Sequence, residues 1–199
     1  MSGITRIKIQ SNWKDWRTDM ADELAPAADT IYREAFGSIG MPISEGVDYV
    51  NVTKDEAMAR YDWKEGIDVI LQFTAGSKAT LQEKYLTYWE STATFEERKT
   101  SGAPGAWYYC TAQYYFVGYA WKYWDYKSRE VYPHAIKEFQ DGILLDLAAT
   151  HRSDSAGEID WLFNGNQHDG RRASFRYVNF NNIPSSCIIA RYPWQLSTG

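Results

Sequence analysis

Between residues 13 and 36 the larger apolar side chains fall at Trp13, Trp16, Met20, Leu24, Ala27, Ile31 and Ala35. Steps of three and four line one side of a helix. Gly37 marks its end, and Pro26, which removes a backbone donor, predicts a kink or a break into two helices. From 38 to 60 the pattern is mixed. A short helix is expected after Thr53, where Thr-Lys-Asp-Glu makes a cap-like start.

The period then changes to two. Ile67, Val69, Leu71 and Phe73 point one way and Asp68, Ile70 and Gln72 the other. Residues 74–78 carry Gly and Ser for a turn. In the run that follows, Leu81, Glu83 and Tyr85 share one face and Gln82, Lys84 and Leu86 the other. This is a hairpin. A third alternating run, TATFEERK at 92–99, completes a three-stranded meander and leads into Thr-Ser-Gly-Ala-Pro-Gly. The aromatic block from Gly105 reads as a short helical turn entering a strand at Tyr114 to Trp121, where Tyr, Phe and Val suit pleated, half-buried positions. A polar, helix-compatible segment spans 126–140, then a strand-like GILLDLAATH. Irregular loops from Arg152 to Arg172 surround one apolar piece, Ile159 to Phe163. A further strand, ASFRYVNFNNI, ends before Pro184, and the tail packs at its apolar start. The expected fold is α/β or α+β: a mixed central β-sheet flanked by helices, in a single domain over 1–199.

Asp68 and Gln82-Glu83-Lys84 interrupt strands that otherwise read as core. Counted from the turn centre near Gly76, Asp68 lies eight residues back, with Gln82 six and Lys84 eight residues on. The three are nearly level across the ladder and can share a face. Asp68 supplies a hard anionic ligand for Mg²⁺, and Gln82 offers a neutral oxygen from the next strand. Lys84 sets a positive charge beside an attacking water or a phosphoryl oxygen.

Gly66-Ile67-Asp68 followed by Gln82-Glu83-Lys84 resembles the PD-(D/E)XK nuclease superfamily, in particular its Gln-containing variants such as the Mrr-type restriction endonucleases. The likeness runs from about residue 13 to 121. It implies a restriction-endonuclease-like fold and a nuclease that uses Mg²⁺ or Mn²⁺ to hydrolyse DNA, leaving a 5′-phosphate. It also implies a glutamate on the leading helix as a further metal ligand. Glu34 is its best match, with Glu23 as rival. Gln113 matches a residue at the junction of an aromatic turn and the next strand. Two positions depart from the family pattern: no Pro precedes Asp68, and Gln82 stands where an acid is usual. The resemblance is compatible with a homodimer, since cutting both strands of a duplex takes two sites. A catalytically inert module of the same fold, binding nucleic acid or a protein partner, is the alternative.

Composition narrows this picture. The net charge of -5 gives no global attraction to a polyanion, so DNA contact has to come from local basic groups. Lys78, Arg98 and Lys99 at strand ends and Arg171 and Arg172 in a loop are the candidates. Nine Trp, fifteen Tyr and eight Phe provide flat surfaces for a core or for stacked bases. Cys110 and Cys187 have no paired spacing and read as reduced thiols. With no apolar leader and no run of 18 apolar residues, a soluble, cytoplasmic chain without a membrane partner is expected. His134, His151 and His168 lack zinc-site spacing, and no GxSxG, GxGxxG or P-loop occurs. Paired carboxylates for glycoside hydrolysis, among Asp146, Asp154, Glu158 and Asp160 with Trp161 as a sugar platform, are a minor alternative.

Overall fold

A computed structural model of the chain describes residues 2–9, 16–53, 66–88, 90–99, 101–125, 130–132, 134–168 and 171–193. Strand β1 (Ile4–Ile9) leads to helix α1 (Trp16–Ser38) and strand β2 (Val47–Val52). The hairpin β3 (Val69–Gln72) and β4 (Lys78–Leu86) follows, then β5 (Thr92–Arg98), the one-turn helix α2 (Ala106–Tyr109) and β6 (Tyr114–Tyr119). A small ribbon, β7 (Trp124–Asp125) and β8 (Glu130–Val131), precedes β9 (Asp141–Asp146) and helix α3 (Leu147–Ser155). Strands β10 (Leu162–His168), β11 (Arg171–Asn179) and β12 (Ile188–Tyr192) close the series. Seven strands form a mixed sheet in the order β12-β9-β6-β4-β3-β1-β2, and β10-β11-β5 form a second sheet.

Helix α1 is continuous through Pro26. Pro26 and Asp22, whose carbonyl loses its donor, both lie on the exposed side, where water replaces the missing bond. The stripe Met20, Leu24, Ala28, Ile31, Tyr32 and Ala35 is pressed against the sheet on both sides of the proline. The helix runs one residue past Gly37, to Ser38, and its cap lies just beyond. Gly40, at φ +76°, donates to the Gly37 carbonyl, and Met41 donates to Phe36, the paired bonds of a left-handed glycine cap.

The expected hairpin is present, with Gln72 opposite Lys78 and Gly76 at φ +91° in the turn. The meander is not. β5 leaves the central sheet to pair with β11, and β4 pairs instead with β6, in parallel. Alternation assigns faces to a strand but not its neighbours, so β5 reads alike in either sheet. Leu147 to Ser155 is helix rather than strand because the Asp146 side chain accepts the Ala149 N–H and caps it. The expected loops at 162–168 form a strand of the second sheet, and the described residues of 130–140 contain no helix. The short helix expected after Thr53 lies outside the described residues. Strands β1 and β2 have no counterpart in the sequence reading.

The central sheet has a core on each face. Helix α1 covers one, over Val69, Leu71, Leu81 and Phe116. The second sheet and α3 cover the other, where Phe95, Val178 and Leu147 meet Tyr115, Val117 and Leu145. A helix thus flanks one face, and a small sheet together with a helix the other. No helix among the described residues is long and apolar enough to cross a membrane.

Gly118 is where the first core leaves no room for a side chain. A methyl group there would stand 2.5 Å from the Phe139 ring and 2.8 Å from that of Phe116, both buried and packed edge to face. Gly118→Ala is expected to lower unfolding stability by about 1–3 kcal/mol, measured by urea denaturation.

Candidate active site

The hairpin sets Val69 opposite Leu81, so Asp68, one residue earlier, stands opposite Gln82. The bond from the Asp68 N–H to the Leu81 carbonyl continues this ladder. Opposed residues share a face, and Lys84 is two positions beyond Gln82. All three therefore lie on the face away from α1, whereas Leu81 and Tyr85 pack on the α1 side. The register thus puts Asp68, Gln82 and Lys84 on one face of the hairpin.

Each group is held. One Asp68 oxygen accepts the Glu83 N–H at 2.7 Å. The Lys84 ammonium donates to the Thr94 carbonyl of β5 at 3.4 Å and stands 5.4 Å from the centre of the Phe175 ring. Burial pushes its pKa down to about 8, opposed only in part by the charge of Glu96. Gln82 Oε1 is shielded from solvent and has no hydrogen-bond partner among the described residues. Such an acceptor is costly unless something fills it. Gly66, at φ +62°, lets the chain pass close by: a methyl group there would lie 2.9 Å from Cys110 Sγ and 3.3 Å from Gln82 Nε2. Burial, reinforced by the Asp68 charge against one backbone N–H, pushes the Cys110 thiol up to about 11, so it is inert at neutral pH.

Access comes from the shortness of β3. Beyond Asp68 no strand among the described residues separates β1 from β4, and a cleft of about 530 Å³ opens there. Asp68, Lys84 and Thr87 are among its lining residues, as are Lys8 and Asp22, which pair with each other at 2.7 Å. Gln82 lies off its walls.

The far side of β4 is clamped. Arg6 of β1 donates from one terminal nitrogen to both Glu83 oxygens, at 3.0 and 2.9 Å. Its other nitrogens reach Asp29 Oδ1, at 3.1 and 2.6 Å, and the Ala25 carbonyl of α1 at 3.2 Å. Tyr32 donates to Glu83 at 2.6 Å. Burial disfavours the Arg6 charge, but the facing carboxylates more than reverse this and its pKa is raised. Burial also raises the carboxyl of Asp29, with Arg6 only partly opposing. The sequence reading turned Glu83 away from the site without finding its partners, because Arg6 lies 77 residues away.

Other candidate residues are placed elsewhere. Glu34 is exposed on α1, across the sheet from Asp68, and the structure does not bring it to the site. Its helix stripe faces the opposite side of the sheet. Glu23 accepts from the Tyr123 hydroxyl and pairs with Lys137. Lys78 is exposed at the hairpin turn, six residues along β4 from Lys84, or about 20 Å. The Gln113 side-chain oxygen accepts the Thr80 N–H and ties β4 to the start of β6. Arg98 lies at the far end of β5 beside Tyr108 and Pro104, and the Lys99 ammonium sits over the Tyr109 ring at 4.4 Å. Arg171 and Arg172 open β11 rather than a loop, and their side chains lie outside the described residues.

Comparisons with protein-family models, with curated proteins and with solved structures find no match. Among the described residues no three His, Cys, Asp or Glu side chains cluster as a metal site. From the described residues a divalent cation here would have one carboxylate, Asp68, and the orphaned oxygen of Gln82.

Removing Arg6 leaves two carboxylates buried without a cation. Arg6→Met is expected to cost about 3–5 kcal/mol, seen as a lower denaturation midpoint. Lys84→Met should act oppositely. Because the folded pKa of Lys84, about 8, is below its ordinary 10.5, the unfolded chain binds the extra proton between these values. Wild-type stability should therefore rise with pH across that window, with the full penalty of roughly 3 kcal/mol present below it. The variant should be more stable at pH 7 and lack the rise, as thermal unfolding across pH would record.

Proposed function

We propose that this chain is a metal-dependent nuclease that hydrolyses phosphodiester bonds in DNA, on a restriction-endonuclease-like arrangement of the β3–β4 hairpin and β6. The observation that supports the reading best is the unfilled Gln82 oxygen opposite Asp68, on the face that also carries a buried Lys84. A soft apolar ligand would leave that oxygen unsatisfied, whereas a hard cation or a donor from the substrate would fill it.

Asp68 and Gln82 would hold Mg²⁺ or Mn²⁺. When bound, the cation neutralises charge developing on the phosphate and acidifies water. The Glu83 N–H holds the Asp68 carboxylate in place on the hairpin. Lys84 orients the attacking water through a donated hydrogen bond. With its pKa near 8 it also exchanges a proton close to neutrality, as a general acid or base requires. Lys8, which also lines the cleft, is paired with Asp22 at 2.7 Å and would exchange that partner for a phosphate of the DNA backbone.

The single carboxylate favours a second reading, an inert module that keeps the fold and binds nucleic acid. Titration with Mg²⁺ or Mn²⁺ separates the two. The nuclease is expected to gain thermal stability and to nick plasmid DNA. Lys84→Ala should reduce nicking by roughly 100-fold or more, Asp68→Asn should abolish the response to metal, and Gln82→Glu should tighten it. Stabilisation without nicking supports the inert module. Nicking that survives both Asp68→Asn and Lys84→Ala rules this site out as its source.

A further inference from the structure

Among the described residues strand β2 ends the order of the large sheet. Five of its six residues are exposed, among them Val47 at 38%, Tyr49 at 50% and Val50 at 40%. It contains neither Pro nor Lys, the usual means of keeping a sheet edge from pairing.

The hydrogen-bond phase of this edge follows from β1. Ile7 donates to the Asp68 carbonyl and the Gly3 carbonyl accepts from Gln72, so the odd-numbered residues of β1 face β3. The even-numbered ones face β2, and Ile4 donates to the Gly46 carbonyl. In the parallel register Ile4↔Val47, Gly46, Asp48, Val50 and Val52 therefore point their backbone groups inward. Val47, Tyr49 and Asn51 present theirs outward.

We propose that β2 pairs antiparallel with β2 of a second copy of this chain, centred on Tyr49, joining the two sheets into one. Only residues with outward backbone groups can form hydrogen-bonded pairs, which restricts the register. Centring on Tyr49 gives three such pairs: Val47 with the second copy's Asn51, Tyr49 with its counterpart, and Asn51 with Val47. Asp48 then lies opposite Val50, with no like charges opposed. Shifting the pairing so that Asp48 is central sets this carboxylate against its own copy. Shifting it so that Val50 is central leaves only two hydrogen-bonded pairs within the strand. On the α1 side, Val47 and Tyr49 of each copy cover one another, and Lys8 stays over the Tyr49 ring, 4.5 Å from its centre.

Light scattering on the purified chain at high concentration should give the mass of a dimer. Tyr49→Lys, which brings two ammonium groups together, should give a monomer with an unchanged melting transition. Asp48→Cys combined with Val50→Cys should form an intermolecular disulfide under mild oxidation, because those positions are opposed at close range. Each single cysteine variant, and the wild type with Cys110 and Cys187, should not. A monomeric wild type overturns the proposal. So does a dimer that persists in Tyr49→Lys and resists cross-linking through the paired cysteines. The small exposed cysteine changes keep the test valid if Tyr49→Lys fails to fold.

Discussion

Arg6 holds together three elements that the backbone leaves apart. Past Asp68 no strand among the described residues runs between β1 and β4. The guanidinium spans the gap to Glu83 and at the same time fixes α1 through Asp29 and Ala25. Two carboxylates on one guanidinium leave a net negative charge in a buried place, an arrangement that hydrophobic packing would replace at little cost. Its value is geometric. Glu83 is tied on one side of the sheet by its side chain and on the other by its N–H, which fixes Asp68. The clamp on the α1 face and the site on the opposite face thus turn on one residue.

Lys84 works against the stability that this clamp supplies. A cation under β5 and β11, with a long bond to a carbonyl and an aromatic ring nearby, recovers only part of its lost hydration. Glu96, in register with Phe175, gives it some electrostatic compensation. Core packing alone would favour an apolar residue at this position. This destabilised lysine shares its face with the Gln82 oxygen, which has no partner among the described residues, and perturbed groups of this kind are what the proposed site rests on.

The hairpin and its faces could be read from the sequence because both are local: period two fixes the faces and Gly76 the turn. The shared face of Asp68, Gln82 and Lys84 followed from counting alone. What failed was non-local. The pattern of α1 identified its buried stripe, but not which face of the sheet it would cover, and Glu34 was lost on that point. β5 was assigned to the wrong sheet because its partner, β11, is distant in the chain. Strand β1 was missed because its alternation includes Arg6 and Lys8 on the side where apolar residues were sought. Arg6 is buried all the same, since its partners come from α1 and β4.

The crossover from β4 to β6 explains why the site lies under a second layer. Two parallel neighbours need a long connection, and here it contains β5 and α2 rather than a long helix. A strand in that position brings a backbone carbonyl, Thr94, to Lys84 and also accepts the Tyr115 hydroxyl. It then recruits β11, and Phe175 with it. A helix would have kept its carbonyls for itself. The walls around Lys84 therefore follow from how the chain returns to make β6, while the entrance follows from where β3 begins. Gly66 sets that start by turning the chain, at positive φ, toward the face of the sheet where Ile67 joins the second core.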